Sequence, residues 1–189
     1  MYERWEEWFQ PGETLLWEGH PAPGLRYVWR NIFFTAFGIP FLGACLFTSG
    51  LGLSYILGLD GVWQAALGVV LTAFGLPFIT VGVGMVIGPW LHEYLRPTRV
   101  RYALTNRNAY IASRFWKKNM EVLALKPDGQ IELEEHGDGT VSLYFHFHNY
   151  RDSDGDKRTE KKGFEALFEG REVYRLLRQQ LERMKEEDG

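Results

Sequence analysis

Between Asn31 and Leu91 the chain carries one charged residue, Asp60. On each side of it lies an apolar run longer than the roughly 20 residues that cross a hydrocarbon core as helix. Such runs leave few options, because backbone polar groups in lipid must be bonded within the protein. The pattern predicts a membrane hairpin, Ile32 to about Leu53 outward and Val62 to Leu91 back, turning at Asp60. The chain then divides into residues 1–30, an N-terminal amphipathic helix and a short strand; 31–91, a transmembrane hairpin of two helices; and 92–189, a polar β domain with a C-terminal helix.

Within the spans, Pro40 and Pro77 are tolerable where neighbours satisfy the freed carbonyl. Ala44, Thr48 and Gly52 recur every four residues in the first span, and Thr80, Gly84 and Gly88 in the second. Small residues at that spacing let helix backbones approach closely. The two ridges are expected to form part of the packing face of the hairpin or of a partner's docking site; a homo-oligomer is a separate expectation. Neither span holds an Asp, Glu, Lys, Arg or His, and intramembrane charge usually marks a transport path. A small transporter or channel subunit is therefore the weaker alternative.

Lys and Arg near the ends set orientation. The connection from Gly50 to Gly61 has none, whereas Arg26 and Arg30 precede the first span and Arg96, Arg99, Arg101 and Arg107 follow the second. Both termini are expected on the cytoplasmic side. The lone Cys45 lies in the first span, so no intramolecular disulfide framework exists. A net charge of −3 and the lack of a long basic block argue against a nucleic-acid partner. The acidic start (Glu3, Glu6, Glu7, Glu13, Glu18) does not read as a cleavable signal peptide.

In residues 1–10, Tyr2, Trp5, Trp8 and Phe9 share a face at helical spacing, which suits a helix in the headgroup layer or one packed on the soluble part. Residues 12–23 read as a short extended segment. From Pro97 the period becomes two. Strands are expected at Arg99–Leu104, Ala109–Ser113, Met120–Leu125, Ile131–Glu135 and Val141–Phe147, with a further one at Gly163–Leu167. Tyr150 to Lys162 reads as a charged loop. Val173, Leu176, Leu177, Leu181 and Met184 then mark one face of a helix from Gly170 to Glu187. The expected fold is a membrane α-helical hairpin plus a small antiparallel β barrel or sheet closed by a C-terminal helix.

The segment Arg101-Tyr102-Ala103-Leu104-Thr105-Asn106-Arg107-Asn108-Ala109-Tyr110-Ile111 resembles a hairpin of bacterial pleckstrin-homology-like membrane proteins. The stretch from Gly12 to Pro21, GETLLWEGHP, resembles the opening those proteins carry before two transmembrane helices. The order of parts is similar as well. Asn108, where a second basic residue is usual, and the insertion from Tyr150 to Lys162 depart from the pattern. The resemblance implies a non-enzymatic module without a cofactor, displayed at the cytoplasmic face of a bacterial inner membrane.

Arg114-Phe115-Trp116-Lys117-Lys118, with Arg107, supplies the basic and aromatic groups that meet anionic headgroups or a membrane-protein partner. His146 and His148 share a strand face and suggest a metal-dependent enzyme as an alternative, but a site needs three or four ligands. Asp152-Ser153-Asp154-Gly155-Asp156 lacks the Gly and Glu positions of a calcium loop. No catalytic pair is evident. Glu134 and Glu135 adjoin on a strand and face opposite ways.

Overall fold

The computed structural model describes residues 5–58 and 61–188. The expected turn at Asp60 and the N-terminal Tyr2 and Glu3 lie outside these residues. The chain forms two compact units, Gly24–Leu95 and a second built from Met1–Pro23 together with Arg96–Gly189.

The first unit consists of α1 (Val28–Gly58) and most of α2 (Val62–Arg99). They are 31 and 38 residues long, about 46 and 57 Å at 1.5 Å per residue, against a hydrocarbon core of about 30 Å. Only 11% of the most apolar stretch of each is buried, so neither is the core helix of a globular domain. Both are long and apolar enough to cross a membrane. Helix α2 does not stop at Leu91 as expected. It runs through Pro97 to Arg99, and the first strand after it begins at the next residue.

The seam between the helices is not the pair of ridges expected. Gly52 belongs to it, since an added Cβ would lie 2.7 Å from the Gly68 carbonyl oxygen. Gly84 and Gly88 have nothing within 4 Å of an added Cβ. The Thr48 and Thr80 hydroxyls donate to Ala44 and Leu76 of their own helices. Close approach on α2 instead occurs at Gly68, Gly75 and Gly82, facing Gly52, Ser49 and Leu42 of α1. That spacing is seven, the repeat of left-handed helix pairs. A stripe repeating every four residues drifts off such a seam, which is why the ridges separate from it. At the open end Trp90 Nε1 donates to Thr35 Oγ1 (2.8 Å), and Arg30 pairs with Glu93 (3.2 Å).

The second unit has seven strands in two antiparallel sheets and one helix. The first sheet has the order β1 (Leu15–Gly19), β2 (Val100–Thr105), β3 (Asn108–Arg114), β4 (Lys118–Ala124). The second has β5 (Glu132–Glu135), β6 (Val141–Arg151), β7 (Lys157–Leu167). No ladder joins the two sheets among the described residues, so of the expected barrel or sheet the structure has the antiparallel sheet form, as two sheets over one core. Tyr102, Leu104, Leu143, Phe164 and Leu167 meet there with Val173, Leu177 and Leu181 of α3 (Gly170–Asp188). Five aliphatic side chains at three- and four-residue spacing turn one face of α3 toward that core. Between the sheets, Lys162 of β7 pairs with Glu121 of β4, and the bond to Glu121 pushes the lysine ammonium up.

Residues 150–162, expected as a loop, are largely strand. β6 and β7 pair without a break from His146↔Lys162 to Arg151↔Lys157. Polar side chains line both faces beyond His148, so this ribbon extends past the core and is held by ladder bonds and cross-strand polar pairs such as Thr159 with Asn149 (2.7 Å).

Candidate functional site

The β3–β4 hairpin sets the geometry of the basic loop. Arg114 pairs with Lys118 across the ladder, leaving Phe115, Trp116 and Lys117 in the turn. Phe115 turns inward and packs against the core, whereas Trp116 is 100% exposed. Four of the expected contact residues, Arg114, Trp116, Lys117 and Lys118, therefore stand together. Arg107 does not join them. It lies beyond the opposite end of β3, seven residues away and so roughly 20 Å at about 3.3 Å each.

Beside this loop lies a cleft of about 710 Å³ on the outer face of the four-stranded sheet, where Arg99, Arg101, Arg114, Thr98, His20, Glu18 and Trp5 line it. Strand register explains Arg101 and Arg114: Arg101 lies opposite Ala112, which shares its face with Arg114. Arg99 ends α2 and enters the cleft from the junction with β2. The Arg99 guanidinium donates to the Arg114 carbonyl at 3.5 Å. Three arginines thus converge at the end of β2 that α2 enters, and Glu18 is the one carboxylate lining the cleft among the described residues. Such a surface attracts anions. The sequence reading named Arg114 for contact but missed Arg99, Arg101 and His20 as a site. Arg99 was expected to open the first strand but ends α2, so alternation alone does not join it to Arg101, and His20 follows β1, on the other side of the hairpin in sequence.

The rest of that face is covered. Among the described residues of the N-terminal segment, Trp5–Glu7 is a single 3₁₀ turn. Trp5 and Phe9 pack on Tyr110, Ala103 and Ala112, with ring centroids 6.3 and 5.3 Å from that of Tyr110. Of the two readings for this segment, packing on the soluble part describes Trp5 and Phe9, while Trp8 is exposed. Glu13 closes the strap, accepting hydrogen bonds from the Tyr110 hydroxyl (2.6 Å) and from Asn108. Burial, and then the Glu13 carboxylate, push the Tyr110 phenol up to about 12.

The other candidates take structural places. His146 and His148 lie opposite Lys162 and Glu160, and no three His, Cys, Asp or Glu groups converge for a metal among the described residues. The Asp152 carboxylate is engaged by the Ser153 amide (2.7 Å) and Arg158 (2.9 Å) in the turn of the β6–β7 ribbon. Glu135 pairs with Arg171 of α3.

No protein-family model matches this chain, and no curated protein and no solved structure is similar to it. The basic loop and cleft are therefore read from their own chemistry.

Proposed function

We propose that this chain is a non-enzymatic, membrane-tethered interaction module. In this reading it crosses a bacterial inner membrane twice and holds a pleckstrin-homology-like domain at the cytoplasmic face, where the β3–β4 loop contacts anionic headgroups. The observation that carries this is Trp116, fully exposed between Arg114 and the pair Lys117–Lys118. An amphipathic ring flanked by cations suits the membrane interface. Three basic residues contribute about 3 kcal/mol at about 1 kcal/mol each near an anionic surface.

Two further observations support the arrangement. Strand β1, before the hairpin, pairs with β2, after it, and that pairing supports a hairpin with both ends on one side. Four and three strands with one closing helix suit the expected PH-like domain, although the sheets do not close. The small-residue ridge of Thr80, Gly84 and Gly88, open at both glycines, favours a second occupant: a helix of a membrane-protein partner or of a second copy. Cross-linking between Gly84→Cys chains in a Cys45→Ala background tests the second copy, and a partner is the alternative if none forms.

The headgroup reading is tested with a nitroxide on Trp116→Cys in the same background, with the full chain in nanodiscs. Collision with lipid-dissolved oxygen should rise when anionic lipid replaces neutral lipid, and fall in Lys117→Glu/Lys118→Glu. A label that stays equally exposed to a water-soluble relaxant in both lipids refutes it.

A further inference from the structure

Building on the reading of a membrane-facing domain, we propose that the cleft beside the loop is a phosphomonoester-binding site, with Arg99, Arg101 and Arg114 as its anion receptors. Three features lead to this ligand class. The first is excess charge: among the described residues three guanidiniums line the cleft with one carboxylate, Glu18. Among those residues none of the three guanidiniums forms an ion pair with a carboxylate, and the contact of Arg99 to Arg114 is to a carbonyl. Like charges gathered in one cleft repel each other, so the folded cleft is relieved by a multivalent anion.

The second feature is donor geometry. A guanidinium presents its N–H groups as a planar fork that matches phosphate oxygens two at a time. Three forks lining one cleft, two from the sheet and one from the end of α2, exceed what a singly charged diester accepts. They suit a terminal phosphate, which carries a charge between about −1.5 and −2 at neutral pH. The third feature is size and surroundings. A cavity of about 710 Å³ falls within the range of small-ligand sites and holds more than a bare phosphate ion. His20 at the lining offers a hydrogen bond to the rest of the ligand, and the indole of Trp5 provides an apolar wall.

The same phosphomonoester chemistry occurs in a lipid headgroup and in a soluble metabolite, and one experiment separates the sources. The full chain is placed in phosphatidylcholine nanodiscs, and its thermal unfolding is followed with and without glycerol 3-phosphate. A second set of nanodiscs contains phosphatidic acid. A ligand that binds only the folded state raises the unfolding midpoint. A rise with glycerol 3-phosphate assigns a soluble ligand, a rise with phosphatidic acid assigns a lipid, and both assign a site open to either.

Arg99→Gln/Arg101→Gln should weaken binding about tenfold or more for each charge-assisted bond lost and abolish the rise. Arg99→Lys/Arg101→Lys should restore it only in part, because the charge returns without the fork. Both arginines are exposed, and the ligand-free midpoint of each variant reports its folding. No rise in either set of nanodiscs, or a rise unchanged in the glutamine variant, overturns the proposal. Its failure is distinct from that of the headgroup reading, which depends on Trp116, Lys117 and Lys118. Loop contact that persists in the glutamine variant leaves the headgroup reading standing.

Discussion

Gly52 and Gly68 stand back to back across the hairpin: a Cβ on Gly52 would lie 2.7 Å from the Gly68 carbonyl oxygen, and one on Gly68 2.5 Å from that of Gly52. The obstruction on each side is backbone, which cannot rotate away. Gly68→Val should force the helices apart and lower the stability of the hairpin by roughly 1–3 kcal/mol, the usual range for overpacking. Gly84→Val, facing open space, should leave it unchanged. Thermal unfolding in a mild detergent distinguishes the two, and equal midpoints would contradict the assigned seam.

Arg30 and Glu93 make an unequal pair, with side chains 48% and 1% exposed. The Glu93 Oε2 has no hydrogen-bond partner, so Arg30 is the cation that compensates this buried carboxylate. Removing Arg30 strands the charge. Because Arg30 is half in solvent, the loss should fall below the about 3–5 kcal/mol of a fully buried pair. The double variant Arg30→Ala/Glu93→Gln should be more stable than Arg30→Ala alone. A double variant no more stable than the single would refute this account.

Tyr110 should make the second unit alkali-sensitive. Its folded-state value of about 12 stands above the ordinary 10.0, so the folded state retains a proton that the unfolded state releases. Stability from this group is complete below pH 10 and declines as the pH rises toward about 12. Tyr110→Phe should flatten that part of the profile, and Glu13→Gln should change it in part. Urea midpoints across this range, compared between wild type and Tyr110→Phe, measure the effect.

Gly163 and Gly155 are both glycines of the β6–β7 ribbon, required for different reasons. An added Cβ at Gly163 would run into the Leu143 carbonyl and approach Tyr144 Cα to 2.8 Å. Gly155 has open space but a φ of +84°. Gly163→Ala should lose about 3 kcal/mol or more, the upper end for overpacking, and Gly155→Ala about 1 kcal/mol from left-handed backbone strain. Chemical denaturation of the two variants should rank them in that order.

The two long helices were legible because uninterrupted apolar runs of that length leave few alternatives to helix, and α3 because five aliphatic residues keep helical spacing. The ribbon from His148 to Glu160 was not legible, because both of its faces meet solvent and no apolar alternation marks it as strand. The helix seam was missed for a geometric reason: a four-residue search follows a ridge, while two long helices in contact follow a seven-residue repeat. The basic loop was visible as a contiguous run, but the arginine cleft was not. Its parts come from the end of α2, β2, β3 and the end of β1, and only the folded pairing of these strands brings them to one cleft.

The pairing of β1 with β2 has a consequence for how the molecule is made. Residues 20–99 lie between these strands, so the ribosome completes β1 long before its partner exists. The pairing of β1 with β2 is therefore a contact of long sequence separation, the kind that closes late in folding. Until it closes, the sheet of β2, β3 and β4 keeps open the edge that β1 covers, the state in which it is most exposed to pairing with another chain.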